Sequence, residues 1–264
     1  SRISPHNVNE LIDASIQFLQ GKSFELFPDF PSGGLADFSR YNDGLRGGVV
    51  KVRAKITKED RKTIAIREIP YGKTTIGLID SIIKANEKGK IKIKRIDDNT
   101  AEEVEIMVHL ANDSNPDKTI DALYAFTDCE VSISPNACVI ENGKPRFLTV
   151  SDILKESANN TVNLLTRELE IRKGELLDDW HMSSLEKIFI ENKIYQSIEN
   201  CETWESIIET IDQGLEPFKK LLKRKVTRDD ITKLTEIKIK RISKYDTQKA
   251  DEHIRKIEEE LEEV

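Results

Sequence analysis

Long apolar runs are missing from this 264-residue chain. No stretch approaches the roughly 20 residues that a membrane-spanning helix needs, which removes that class. No signal peptide is visible, and none would be if the chain is an excised piece of a larger protein. Cysteine is scarce: Cys129, Cys138 and Cys201 are widely spaced and follow no paired pattern. That excludes a disulfide framework and fits reduced thiols in a cytosolic protein. The four histidines, His6, His109, His181 and His253, share no ligand spacing with those cysteines, so no zinc site is expected. No Ser-His-Asp, Cys-His or paired-carboxylate constellation stands out, and Glu102, Glu103 and Glu105 do not suggest a metal cluster. Gly72-Lys73-Thr74 looks like the end of a phosphate-binding loop, but that pattern requires glycine at position 67, where Arg67 stands. A strand-to-helix turn is the better reading. Internal repeats and low-complexity segments are absent.

Charge is plentiful. Charged residues make up 34% of the chain and hydrophobic ones a modest 38%, which suits long solvated helices rather than one large core. The length suits two modules. A net charge of −7 argues, taken alone, against a nucleic-acid binder, but its distribution is uneven. Residues 41–95 carry fifteen basic side chains against six acidic ones, whereas residues 247–264 carry three against seven. A chain so polarised can hold a phosphate backbone with one end while the other stays soluble.

The first half reads as mixed strand and helix. Val8 to Gln20 has helical spacing, as does Thr75 to Asn86, which ends near Gly89. Val49 to Ile56 alternates, with Val50, Val52, Ala54 and Ile56 on one face and Lys51, Arg53 and Lys55 on the other. This predicts an antiparallel strand with a basic outer face, and Thr63 to Arg67 completes a hairpin. Lys90 to Ile96 and Glu103 to Leu110 alternate again, so Lys92 and Lys94 repeat the basic design. Asn115-Pro116 opens a helix, Glu130 to Ile140 is extended, and Asn142-Gly143 marks a hairpin turn. Such a basic face is either a solvated surface or a track for phosphates; no aromatic residues interleave it, which disfavours stacking on single strands. Gly44-Leu45-Arg46-Gly47-Gly48 is either a nest of backbone N–H groups for a phosphate or a flexible entry to the basic strand.

The second half changes character near Val150. From Ser151 to Asn200 there is no proline and only Gly174, while Leu154, Val162, Leu165, Leu169, Leu176, Trp180, Leu185, Ile188 and Ile194 recur at roughly helical intervals. This is a long helix, or a few joined ones, wanting a partner along a narrow seam. Shorter helices follow at Thr203–Asp212 and Leu215–Lys225. Thr227-Arg228-Asp229-Asp230 forms a capping box, and Tyr245 to Val264 is a returning helix that stops without a C-cap. Phe218, Leu221, Leu222, Ile231, Leu234, Ile237, Ile239 and Ile242 crowd one helical knob, more than it can hide, so some pack on the returning helix or meet a partner.

The ordered series Arg2-Ile3-Ser4-Pro5-His6-Asn7, Pro28-Asp29-Phe30-Pro31-Ser32-Gly33-Gly34 and Glu68-Ile69-Pro70-Tyr71 resembles the A subunit of type IIA DNA topoisomerases, the breakage-reunion subunit of gyrase and topoisomerase IV. The similarity spans essentially the whole chain. It implies an α+β fold, with a tower domain over 1–150 that bends DNA and a coiled-coil arm with a helical exit gate over 151–264, its returning helix cut short. Leu234 to Ile242 matches the gate segment. The Phe126 to Glu130 region and the stretch from Trp180 to Tyr195 are more similar to topoisomerase IV of a Bacteroides-like bacterium than to gyrase.

The resemblance assigns roles residue by residue. Ile3 takes the position of an isoleucine that enters a base step of bent DNA, as apolar wedges do; Ser4 stands where the family usually has proline. Arg2, His6, Asn7, Arg46, Lys51, Arg53, Lys55, Lys92 and Lys94 are the expected DNA contacts. Phe218, Leu221, Leu222, Ile231, Leu234, Ile237 and Ile242 are the expected dimer gate. The catalytic tyrosine should precede Ile3, and Tyr41, Tyr71, Tyr124, Tyr195 and Tyr245 all fall after it, so this chain alone should not cleave DNA. Magnesium and ATP belong to a partner B subunit in a cytoplasmic, nucleoid-associated heterotetramer that performs ATP-dependent strand passage. The competing reading from another class is a noncatalytic coiled-coil scaffold whose basic sheet docks an acidic protein.

Overall fold

The computed structural model describes residues 2–264. They divide into two compact units, one ending at Asn160 and the other spanning Thr161–Val264. The architecture is α+β with antiparallel sheets.

In the first unit, Asn7 opens α1 (Val8–Leu19): its side-chain oxygen accepts the N–H groups of Asn9 and Glu10. Two sheets follow. One has the order β1 (Leu35–Arg40), β2 (Val49–Arg53), β7 (Glu130–Ile133). The other has the order β3 (Lys55–Lys58), β4 (Thr63–Glu68), β6 (Ile106–Leu110), β5 (Ile93–Asp98). A two-stranded hairpin, β8 (Cys138–Glu141) and β9 (Lys144–Phe147), turns through Asn142 and Gly143, both at positive φ as that turn demands. Against the four-stranded sheet lie α2 (Thr75–Glu87) and α3 (Pro116–Phe126). Ile64 and Ile66 of β4 and Ile106 and Val108 of β6 meet Leu78 and Ile82 of α2 and Leu123 of α3, all fully buried. Burial of each such side chain contributes roughly 1.5–3 kcal/mol. A second core gathers Val50 and Val52 of β2, Ala14 of α1, and Leu26, Phe30 and Tyr41.

The continuous strand expected over Val49–Ile56 breaks at Ala54, and its two parts join different sheets. The N–H of Ala54 donates to the Cys129 carbonyl at 2.7 Å, while its carbonyl accepts the Tyr124 hydroxyl at 2.9 Å. Both backbone groups are therefore satisfied outside the hairpin ladder. The expected strand over Lys90–Ile96 begins only at Ile93, because Lys90 closes the end of α2 by donating to Ala85 O and the Asn86 side chain takes the Ile93 N–H. The expected helix over Leu215–Lys225 is instead a single 3-10 segment, Glu216–Leu221; Pro217 supplies no N–H to carry the preceding helix onward.

The second unit is helical. The 42-residue α4 (Val150–Glu191) starts in the first unit and continues through the second. It is followed by α5 (Trp204–Leu215), α6 (Arg228–Thr235), α7 (Ile239–Ser243) and α8 (Thr247–Glu263). Leu185 and Phe189 of α4, Ile208, Ile211 and Leu215 of α5, and Ile231 and Leu234 of α6 form its main core. Helix α8 runs back antiparallel along α4: Arg172 Nε donates to Glu260 at 3.0 Å, Trp180 Nε1 to Glu258 at 2.8 Å, and Lys187 pairs with Asp251. Leu176 and Trp180 pack on Ile257 beneath them.

The capping box at Thr227 does more than start α6. Asp230 accepts the Thr227 N–H at 2.9 Å, Arg224 at 2.7 and 3.1 Å, and stands 3.2 Å from Nε2 of the fully buried His181. Burial alone would raise the Asp230 carboxyl, but Arg224 and Thr227 hold it well below the usual carboxylate range. Burial, with Arg224 adding, pushes His181 down.

Candidate nucleic-acid interface

The N-terminal segment is fixed at both ends. Arg2 exchanges backbone hydrogen bonds with Asn136, N–H to carbonyl in each direction at 3.0 Å. Asn7 is engaged as the cap of α1, and its side-chain NH2 donates to Asp29 at 3.1 Å. His6 lies between them, with Nδ1 2.8 Å from the Ser4 carbonyl and Nε2 3.4 Å from the Tyr41 hydroxyl. His6 and Asn7 thus hold the segment in place. Ile3, between these anchors, stays 46% exposed. Its own fold leaves nearly half of this apolar side chain uncovered.

The basic strand face is largely balanced by acids that lie far away in sequence. Arg53 Nε donates to Glu130 at 2.5 Å, and Lys51 Nζ stands 3.6 Å from the same carboxylate. Asp37 pairs in register opposite Lys51, and its carboxyl is lowered chiefly by the Ser39 N–H, with Lys51 and Arg53 contributing. Lys55 sits on the other sheet and reaches Glu68 at 3.4 Å. Lys92 lies before β5 and reaches Asp113 at 3.3 Å. The three cations expected on one strand face are therefore split between two sheets. A window of residues 41–95 could not reveal Glu130 or Asp113 as their partners.

Arg2, Arg46 and Lys94 differ: among the described residues none faces a carboxylate at salt-bridge distance. Arg2 and Arg46 come together. With Gly47 and Ser134–Asn136 they line an open hollow of about 480 Å3. Gly48, next along the chain, has no room for a side chain, since a Cβ there would fall 2.1 Å from the Tyr41 carbonyl oxygen. Ser134 and Asn136 carry no sequence signal for this position; the Arg2–Asn136 bridge brings Arg2 to them, and the Ala137 N–H, donating to the Gly44 carbonyl at 2.9 Å, holds them near Arg46. The hollow presents two guanidinium groups, each able to hold a phosphate with two parallel hydrogen bonds.

The Gly72-Lys73-Thr74 motif is built differently. Lys73 pairs with Asp128 at 2.9 Å, Arg67 with Glu59 at 2.9 Å, and Thr74 caps α2 by accepting the Gly77 N–H. It is a strand-to-helix turn, as the sequence indicates.

The family model for the A subunit of DNA gyrase/topoisomerase IV matches residues 1–264. The chain belongs to this family. It is 39% identical over its entire length to the DNA topoisomerase 4 A subunit of Borreliella burgdorferi, covering 42% of that protein. It is 29% identical over 194 residues to the DNA gyrase A subunit of Lawsonia intracellularis, which involves 66% of this chain and 24% of the relative. The gyrase A subunit of Borreliella burgdorferi is 25% identical over 194 residues. The chain thus spans well under half the length of these relatives. Within this type IIA topoisomerase A-subunit family, the topoisomerase IV branch is favoured by identity and by coverage.

The expected gate residues of this topoisomerase chain lie in the second unit, but not all at its surface. Ile231 and Leu234 are buried in its core, and Phe218, Leu222, Ile237 and Ile242 pack against that core. Only Leu221, of the seven, is strongly exposed, and Ile239 beside them is 84% exposed. Ile231 and Leu234 are core residues here: α6 needs both to seat on α4 and α5, which leaves them no surface to share with a partner.

Proposed function

We propose that this chain is the part of a topoisomerase IV A subunit that binds and bends duplex DNA and joins its partner copy at an exit gate. The observation that carries the reading is the hollow of Arg2 and Arg46 next to the exposed Ile3: two uncompensated guanidiniums beside an apolar side chain on an anchored segment. Phosphate contacts would position the duplex and Ile3 would enter a base step, an arrangement that trades unstacking for bending. Lys94 adds a further uncompensated charge; Lys51, Arg53, Lys55 and Lys92 act as a balanced flank.

In this reading residues 1–150 form the tower and 151–264 the coiled-coil arm and gate. The exposed Val162, Leu165 and Leu169 of α4 suit a helix–helix seam, and the exposed Leu221 and Ile239 suit a separable two-fold contact. The holoenzyme would be a cytoplasmic, nucleoid-associated heterotetramer whose B subunits hold magnesium and ATP and drive decatenation and relaxation. The test is duplex binding by fluorescence anisotropy against salt. The log–log slope should steepen by about 0.9 for each phosphate neutralised, and Arg46→Glu should flatten it more than Arg53→Glu. Salt-insensitive binding, or equal effects of the two variants, would reject the assignment.

A further inference from the structure

A second basic hollow, of about 520 Å3, lies within the second unit between α4, α7 and the first turns of α8. Five cationic side chains line it against two carboxylates, Glu186 and Asp246, a local surplus of three positive charges in a chain of net −7. Arg241 is already committed, donating to Glu186 at 2.8 Å, and Lys249 lies 3.9 Å from Asp246. Lys238, Lys240 and Lys244 are exposed and, among the described residues, face no carboxylate at salt-bridge distance. Tyr245 forms one wall, with its hydroxyl buried.

We propose that this hollow binds the phosphodiester backbone of duplex DNA, giving the second unit a sequence-independent DNA contact of its own. The inference rests on the reading that the chain handles DNA. Lysine ammonium groups hold phosphate oxygens as point charges without demanding a fixed plane. The one guanidinium of the hollow is paired with Glu186 and the tyrosine hydroxyl is turned inward, which leaves mobile point charges rather than a planar fork facing a ligand. Helix α7 covers Ile239–Ser243, roughly 7.5 Å at 1.5 Å per residue, with Lys240 within it and Lys238 and Lys244 flanking it. A duplex presents several phosphates over that length, one per about 1.7 Å of axis. An acidic peptide would be better served by a free arginine fork, which the site lacks.

The experiment uses the whole chain and a short mixed-sequence duplex. Anisotropy titrations against salt would compare the wild type with Lys238→Glu/Lys240→Glu/Lys244→Glu, with the same three positions changed to Gln, and with Arg2→Glu/Arg46→Glu. Both lysine variants should flatten the log–log slope by about 2–3, at 0.9 for each lost contact. Hydrogen exchange on the wild type should show duplex-dependent protection of α7 and the first turn of α8. If the lysine variants keep the wild-type slope while Arg2→Glu/Arg46→Glu flattens it, this inference fails and the first-unit reading stands; the converse pattern keeps the inference and removes the first-unit site. Protection of α7 by inorganic phosphate alone, or by poly-glutamate but not duplex, overturns the DNA assignment.

Discussion

The backbone N–H of Gly34 donates to the carboxylate of Glu68 at 2.5 Å across 34 residues of sequence. Glu68 ends β4 and Gly34 immediately precedes β1, so one hydrogen bond ties the two sheets of the first unit together. Lys55 reaches the same carboxylate, and the rings of Phe30 and Tyr71 stack nearby at 5.1 Å. The three segments that carried the family resemblance are thus linked in series, Asn7 to Asp29 and Gly34 to Glu68. Their shared purpose is to hold the loop before β1 against the end of β4.

Gly34 has no room for a side chain. Its φ is +93° and an added Cβ would stand 2.5 Å from the Arg53 carbonyl oxygen. Gly34→Ala should cost about 2–3 kcal/mol, combining left-handed strain with a backbone clash. Gly21→Ala, also at positive φ but with nothing within 4 Å, should cost about 1 kcal/mol. Urea melts of both variants check this; equal losses would show that the clash is relieved by a small shift.

Two groups held below their ordinary values make the fold less stable as pH falls. The Gly34 N–H, with Lys55 adding, holds Glu68 below its ordinary value. Its stabilisation is present above the unfolded carboxylate value of about 4.3 and is lost as pH falls through the lower folded value. His181 is depressed by burial, so the folded state resists its protonation. Stability should already decline as pH drops below the unfolded value of about 6.5. Melting against pH should show both limbs. Glu68→Gln should blunt the acid limb only, and His181→Asn the limb beginning near neutrality.

In the full-length parent protein, Ile3→Ala should reduce DNA bending and cleavage more than binding. Unstacking a base step costs a few kcal/mol, which an apolar wedge must offset. Energy transfer between dyes at the ends of a bound duplex reports the bend directly. An unchanged bend would remove Ile3 from the interface.

Exposure separates gate residues from core residues. Leu234→Ala should destabilise the second unit by about 2–4 kcal/mol, as a buried leucine does. Leu221→Asp and Ile239→Asp should leave the melt within about 0.5 kcal/mol while abolishing self-association at high protein concentration in sedimentation velocity. A strict monomer in the wild type, and in a longer version of the chain, would sink the gate assignment.

What the sequence determined by itself is local. The caps at Asn115 and Thr227, the Asn142-Gly143 turn and the helical spacing after Val150 follow from short-range chemistry, and each lies where its residues required. The alternation of Val50, Val52 and their neighbours also marked the buried faces correctly. What only the tertiary structure decided is which charges remain uncompensated. Glu130 neutralises Lys51 and Arg53 from more than seventy residues away, and Ala54 diverts its hydrogen bonds to Cys129 and Tyr124 and splits the basic strand between two sheets. The Arg2–Asn136 bridge and the Ala137–Gly44 hydrogen bond assemble a hollow from three separate segments. Charge compensation and backbone pairing at such separations are set by packing, and no window along the chain contains them.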